Sequence, residues 1–425
     1  MPRRQHDRQY DLVVFGATGY TGKYAVQYIT TDLPTDLKWA VAGRSQSKLE
    51  KVVAECQKLN PDRAPPSIEI CNLNDIDLSN LAKKTFILIT TVGPYGQYGE
   101  HAFKACAENG THYFDVTGEV PFVAKMIKKY EAAAKESGAV MLPQIGVESA
   151  PADLITYSLA SFIREEYSSP TADVTLSIHN LKSSPSGGTL RTVFTLLNNF
   201  TLSDVRAAYE PYALSPVPPA KPPPSLPIFT RLTGLIQVPF LGLLTTSVAG
   251  STDAAIVHRS WGIFAKYPAL WLRGRQQNDA ERSTSYGPNF SFREFMRSRN
   301  WLTGLGIHIG LLLLGLVMVT PFLRELAAKW VVQPGDGPDP ETAKFDELEY
   351  RGIATADGKK KRALCRAWFM GSPYYCILLA EAARTLLEEE VELPGGIYTA
   401  ACLGQPFIDR LERAGFHLET KCLEH

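Results

Sequence analysis

A doubly wound, parallel α/β sheet followed by a second α+β unit is the fold this sequence predicts. Three observations predict it. Strand-like and helix-like segments alternate with short links through residues 11–150, the pattern that builds parallel sheets. The first strand-like run, "DLVVFG", leads into glycines three apart, Gly16, Gly19 and Gly22. After Pro151 the alternation gives way to period-two patterning and irregular stretches. At 425 residues the chain has room for more than one domain.

The elements follow in order. "DLVVFG" is a strand and the segment to about Thr31 a helix; "LKWAVAGR" is a second strand and "SKLEKVVAECQKL" a second helix. "SIEICNL" and "FILITTVG" are the third and fourth strands, and "HAFKACAENG" is a helix closed by Gly110. "HYFDVTG" is the fifth strand, "FVAKMIKKYEAAAKESG" a helix, and "AVMLPQIG" the sixth strand. Beyond residue 151, "ADVTLSIHN" alternates like a half-exposed antiparallel strand. Residues 211–227 are too proline-dense for regular structure. "IVHRSWGIF" resembles a strand, "PYYCILLAEAARTLLEEE" a helix, and "TAACLGQPFIDRLERAG" a last helix interrupted at Gly404 and Pro406. The expected division is 1–150, 151–394, and 395–425 returning to the first unit.

Composition narrows the function. Lys+Arg and Asp+Glu balance at 44 each, which leaves no basic excess for nucleic acid. Seven scattered cysteines include no Cys-x-x-Cys pair, so reduced thiols are expected rather than a disulfide framework or a metal site. "MPRRQHDRQY" has no apolar run behind its basic residues, and no secretory signal is expected.

The glycine turn is the strongest chemical motif. Gly16 permits a tight turn, Gly19 lets the backbone approach a phosphate, and Gly22 lets the helix pack on the sheet; the helix N-terminus then offers free N–H groups to a pyrophosphate. With Thr18, Tyr20 and Thr21 these residues form a Rossmann-type dinucleotide turn. The second strand ends Gly43-Arg44-Ser45, with Lys48 a turn later. NAD-preferring sites carry a carboxylate there, whereas a guanidinium and a hydroxyl suit a 2′-phosphate. The cofactor read from these residues is NADP. Asn72 and Asp75 follow the third strand, where the adenine lies; helix capping by Asn74, Asp75 or Asp77 is the competing account. Thr91, Gly93, Pro94 and Tyr95 follow the fourth strand and should border the ribose and nicotinamide. Thr117, Gly118 and Glu119 share that rim. Tyr95 and Glu119 are the candidate proton donors, and His101, His112 and His179 are read as structural.

The stretches "VVFGATGYTG", "WAVAGRSQSKL", "VGPYGQYGEHAFKACAENGTHYFDVTGE", "SAPADL" and "GGIYTAACLGQPFIDRLERAG" resemble the saccharopine dehydrogenase-like oxidoreductases, a family that includes trans-acting enoyl reductases. The resemblance implies hydride transfer with NADP(H). Relatives often read Gly-Phe-Asp-Ser where this chain has Gly146 to Ala150, "GVESA"; if that turn lines the substrate pocket, the substrate differs. No tyrosine has a lysine four residues on, which argues against the short-chain dehydrogenases that share the turn.

Trp301 to Leu323 contains no Asp, Glu, Lys or Arg, and its 23 residues reach about 35 Å as a helix, enough to cross a bilayer. Gly306 and Gly310 form a Gly-x-x-x-Gly pair. Trp301 and Trp330 are placed like interfacial anchors, and Arg297, Arg299, Arg324 and Lys329 flank the run. A membrane helix, a monotopic hairpin and a buried or dimer-forming helix are the readings, with residues 226–250 as a second apolar region. Relatives include lipid-droplet and membrane proteins, which implies a cytosol-facing, membrane-associated location; a soluble cytoplasmic protein is the alternative. The functional expectation is an NADP-dependent enoyl or carbonyl reductase acting on a lipid-like small molecule. A saccharopine-type amino-acid dehydrogenase and a non-catalytic NADP-binding membrane scaffold are the alternatives.

Overall fold

The structure, a computed structural model, describes residues 3–182, 187–271, 286–328, 345–370 and 374–423. Its first sheet contains β1 (Tyr10–Phe15), β2 (Trp39–Gly43), β3 (Ser67–Ile70), β4 (Thr85–Thr90), β5 (His112–Asp115) and β6 (Val140–Leu142). These strands lie parallel in the order β6-β5-β4-β1-β2-β3. β1 shows how both faces are covered. Leu12 and Val14 enter one core cluster, Val13 and Phe15 another, and none of the four is more than 2% exposed. A strand buried on both sides reads as an unbroken apolar run, as "LVVF" does. Gly110 (φ +67°) and Gly138 (φ +80°) end their helices in the left-handed region, where a Cβ is unfavourable.

A helix over Ala150–Tyr167 leads to the second sheet. That sheet contains β7 (Thr171–Lys182), β8 (Ile236–Val238), β9 (Gly242–Thr246), β10 (Ser291–Arg297), β11 (Glu347–Ala356) and β12 (Arg362–Met370). Two late strands follow, β13 (Gly396–Ile397) and β14 (His417–Leu423). The second sheet runs β14-β12-β11-β7-β10-β9-β8, with β7 and β10 parallel and the other neighbours antiparallel. β10 and β11 therefore lie on either side of β7, although the apolar Trp301–Val319 helix separates them in the chain.

The C-terminal segment serves both sheets. β13 extends the first sheet beside β6, and β14 closes the second beside β12. The Tyr374–Glu388 helix packs on the Tyr20–Asp32 helix, where the Tyr28 hydroxyl donates to Glu381 at 2.9 Å. One continuous core joins the sheets, including Leu12, Phe114, Leu154, Leu176, Tyr350 and Phe407.

"IVHRSWGIF" is not a strand. It lies within a helix, Gly250–Lys266, in which every residue from Ala255 to Phe264 is buried. Burial on all sides removes the amphipathic period that marks a helix, and its β-branched and aromatic residues then read as a strand. The final helix is divided where the sequence suggests. A 3₁₀ turn, Ala400–Leu403, ends at Gly404 (φ +69°), and a new helix spans Gln405–Arg413.

Candidate functional site

The glycine turn is built by close contact. Gly16 has φ +92°, and a Cβ there would lie 2.8 Å from both Thr91 Oγ1 and Val92 Cγ2. A Cβ on Gly22 would collide with the Gly16 carbonyl oxygen, so the helix abuts the turn. Gly19 is different: its Cβ would meet only that oxygen, at 3.4 Å. Space is thus open above Gly19, at the start of the Tyr20–Asp32 helix, which has no side-chain cap. Uncapped N–H groups facing open space suit a phosphate. Thr18, Tyr20 and Thr21 are half-buried around the turn. Tyr20 packs edge-on against Tyr24, and the Thr21 carbonyl accepts from the Cys376 thiol at 3.5 Å.

Arg44, Ser45 and Lys48 lie just beyond β2, at the start of the Gln46–Leu59 helix. Arg44 and Lys48 are exposed, and Ser45 approaches only Ser47, at 3.4 Å. Among the described residues no carboxylate pairs with either cation, which leaves both to meet an anion. The glycine cradle, the uncapped helix start and this cationic edge together fit a dinucleotide with a 2′-phosphate.

The adenine-side candidates are already engaged. Asp75 accepts from His101 Nδ1 at 2.5 Å and Lys104 Nζ at 2.7 Å, and these contacts hold its carboxyl below the usual range. Asn72 donates to Asp77 at 2.8 Å, while Asn74 caps the Asp75–Lys84 helix by accepting from the Asp77 N–H. The capping account therefore applies at Asn74.

Beyond β4, Thr91 donates to the Gly16 carbonyl at 3.2 Å and so ties this rim to the glycine turn. Gly93 and Pro94 follow and lead into a single helical turn from Tyr95. Tyr95 points inward: its hydroxyl donates to the Thr90 carbonyl at 3.0 Å, and burial raises its pKa well above the ordinary value. Glu119 stands beside it on the β5 rim. Its two carboxylate oxygens accept from the Tyr95 N–H at 2.6 Å and the Gly96 N–H at 2.9 Å. Burial nevertheless pushes its pKa up to about 7. The two proton-donor candidates are thus brought together, in a contact that fixes the loop.

Sequence reasoning missed the group beneath them. Asp115, fully buried at the end of β5, accepts from the Thr117 and Gln144 N–H groups, both at 2.9 Å, and from the Tyr113 hydroxyl at 2.7 Å. Burial raises its pKa to about 6. Gln144, at φ +64°, is held by this contact, and its buried Nε2 has no partner among the described residues. A carboxylate ending a parallel strand is the signal that would have found Asp115. Among the described residues, no three His, Cys, Asp or Glu side chains gather as a metal site.

The apolar run is a helix over Trp301–Val319 that the protein scarcely covers, with 11% of its most apolar window buried. Among the described residues it does not pack as a core helix. Its first turns are anchored on β9. The Gly304 carbonyl accepts from Thr245, and His308 meets Thr246 at 2.8 Å. From Ile309 onward the helix projects, with Gly306 and Gly310 facing open space. Beside it a short helix, Ile228–Thr233, leaves Ile228, Phe229 and Leu232 exposed at 74%, 65% and 73%. Pro321–Ala328 adds Phe322 and Leu326. Together they make an apolar ridge far larger than scattered surface residues. Of the flanking anchors, Trp330 and Lys329 lie outside the described residues.

Residues 12–142 match the saccharopine dehydrogenase NADP-binding domain. A candidate trans-acting enoyl reductase of Mycobacterium tuberculosis is 29% identical over 439 residues, covering 97% of this chain and 98% of that protein. A trans-acting enoyl reductase of Mycobacterium bovis is 27% identical over 433 residues, with the same coverage. A lipid droplet localized protein of Caenorhabditis elegans is 39% identical over 149 residues, which is 34% of this chain and 35% of that protein. Among solved structures, the saccharopine dehydrogenase (L-Glu forming) of Saccharomyces cerevisiae superposes with a TM-score of 0.50 at 11% identity, covering 97% and 99% of the two chains. That likeness is one of fold.

Proposed function

We propose that this chain, whose residues 12–142 match the saccharopine dehydrogenase NADP-binding domain, is a membrane- or lipid-droplet-associated reductase. Its substrate is an enoyl or carbonyl group in lipid, glycolipid or polyketide metabolism. The apolar ridge carries the lipid half of this reading, because water-soluble substrates need no such surface. The names of the trans-acting enoyl reductases and the lipid droplet protein support it.

The bound dinucleotide supplies hydride. Gly16, Gly19 and Gly22, with Thr18, Tyr20 and Thr21, hold its pyrophosphate; Arg44, Ser45 and Lys48 hold the 2′-phosphate; Asn72 and Asp75 lie on the adenine side. Thr91, Gly93, Pro94 and Tyr95 border the ribose and nicotinamide, in a loop that Glu119 fixes. With a pKa of about 7, Glu119 keeps a proton at neutral pH more readily than an ordinary glutamate, which supports it as donor over the inward-facing Tyr95. We assign 1–150 to the cofactor and 151–394 to substrate and any dimer contact, with 395–425 tying the two together.

One observation favours a second reading, a non-catalytic NADP-binding scaffold: both Tyr95 and Glu119 are committed to the loop. NADPH consumption with enoyl, carbonyl and imine compounds in lipid vesicles separates the readings. Turnover is expected with a lipid-linked enoyl or carbonyl compound. Tight NADPH binding without turnover across the panel selects the scaffold, and turnover with the imine alone selects a saccharopine-type dehydrogenase.

A further inference from the structure

Behind the ridge lies a cavity of about 280 Å³. Its lining includes Tyr209, Thr230, Gly234, His258, Phe292 and Glu294. Thr230 is the buried side of the short helix whose Ile228, Phe229 and Leu232 form part of the ridge. Gly234 is packed so closely on His308 that a Cβ would lie 2.6 Å from its ring. One helix thus separates the cavity from the apolar surface. On the opposite side, Tyr209 packs on the core cluster that includes Tyr95 and Ala255. Its hydroxyl also feels the charges of Glu148 and Glu119. The cavity therefore lies between the ridge and the dinucleotide rim.

Its wall holds polar groups that the protein does not satisfy. His258 is 4% exposed and stacks on Tyr212 at 3.9 Å, yet among the described residues neither ring nitrogen has a hydrogen-bond partner. Burial lowers its pKa to about 4, so at neutral pH it presents one donor and one acceptor. Glu294 is buried too; its Oε1 accepts from Ser247 at 2.5 Å, and its carboxyl lies in side-chain hydrogen-bond contact with the buried Asp253. A buried polar atom left without a partner costs stability. The two open ring nitrogens of His258 on the cavity wall mark a place where a ligand completes the hydrogen bonds.

We propose that this cavity binds the uncharged, oxygen-bearing end of a lipid that enters from the ridge. The proposal rests on the lipid-surface reading above. A hydroxyl or ester can accept from the His258 N–H, and a hydroxyl can donate to Glu294. An anionic head group is disfavoured, since Glu294 lines the wall, Glu210 stands at the exposed edge, and the guanidinium of Arg293 is turned to the Pro224 carbonyl at 2.7 Å. The cavity is smaller than a long-chain lipid needs, so the acyl chain remains against the ridge.

The test is equilibrium binding of radiolabelled 1-oleoylglycerol and of oleate to the full chain. The wild type should bind 1-oleoylglycerol and discriminate against oleate by about tenfold or more. His258→Phe keeps the stack on Tyr212 and removes both orphan nitrogens. It should weaken 1-oleoylglycerol by about tenfold or more while its melting temperature holds or rises. Should that variant fail to fold, Ser251→Trp, at an exposed position on the cavity edge, should produce the same loss by obstruction. No binding by the wild type, equal binding of oleate, or unchanged binding by a folded variant overturns the proposal. A fall in the His258→Phe melting temperature, like its failure to fold, passes the decision to Ser251→Trp, whose unchanged binding overturns the proposal. NADPH binding and vesicle flotation, measured in parallel, report on the reductase reading separately.

Discussion

Glu119 and Tyr95 illustrate what residue type alone conceals. Both stand on the rim that the strand order predicts, and both are titratable. Their roles depend on direction: the Tyr95 hydroxyl faces Thr90, and Glu119 faces two backbone N–H groups. No spacing in the chain encodes that. Arg44 is proposed from position instead: the end of β2 occupies a fixed place in this fold, and a guanidinium there suits an anion. Arg44→Asp replaces it with a charge that repels a 2′-phosphate. NADPH affinity should fall by at least about tenfold, with NADH affinity changing by less than about threefold. Fluorescence titration with both cofactors checks this; equal losses would remove Arg44 from the 2′-phosphate site.

At the scale of elements, the first six strands were legible because each is local, apolar and bounded by turn residues. The second sheet was not, because β7 finds β10 and β11 only across long separations. The β8–β9 hairpin sits inside a stretch that reads only as apolar. The cavity wall was equally hidden, since His258 comes from a helix misread as a strand and Glu294 from a distant one. The ridge itself was plain from its lack of charge, and the structure shows that three helices contribute to it. Replacing Phe229, Leu232, Leu312 and Leu316 together by serine should abolish flotation with neutral phospholipid vesicles, because binding scales with buried apolar area. NADPH affinity should stay within about twofold, as none of the four touches the glycine turn. Flotation that survives would show that lipid is met elsewhere.

For the whole molecule, Asp153 is a central tie. From the "PADL" helix it accepts from Ser260 at 2.5 Å and from the Ala401 N–H at 2.8 Å, joining three distant segments. Arg259 does similar work, donating to the carbonyls of Leu214 and Ile397 at 2.7 and 2.5 Å. Burial raises the Asp153 pKa to about 7. The folded chain thus holds a proton that the unfolded chain releases at lower pH. The resulting stability is complete below the ordinary aspartate range and is lost as pH rises through about 7. Glu119 and Asp115 act in the same direction. The urea midpoint should be lower at about pH 8 than at about pH 5, and Asp153→Asn should shrink that difference. An unchanged difference would show that Asp153 ionises freely in the folded chain.

The position of β10 and β11, flanking β7, carries one more consequence. The chain runs out to the ridge and returns to the same sheet, so the parts before and after it share one aqueous side. If the ridge meets lipid as proposed, one leaflet suffices. The protein can then settle on the phospholipid monolayer around a neutral-fat core as readily as on a bilayer, and can pass between them without drawing a polar segment through hydrocarbon.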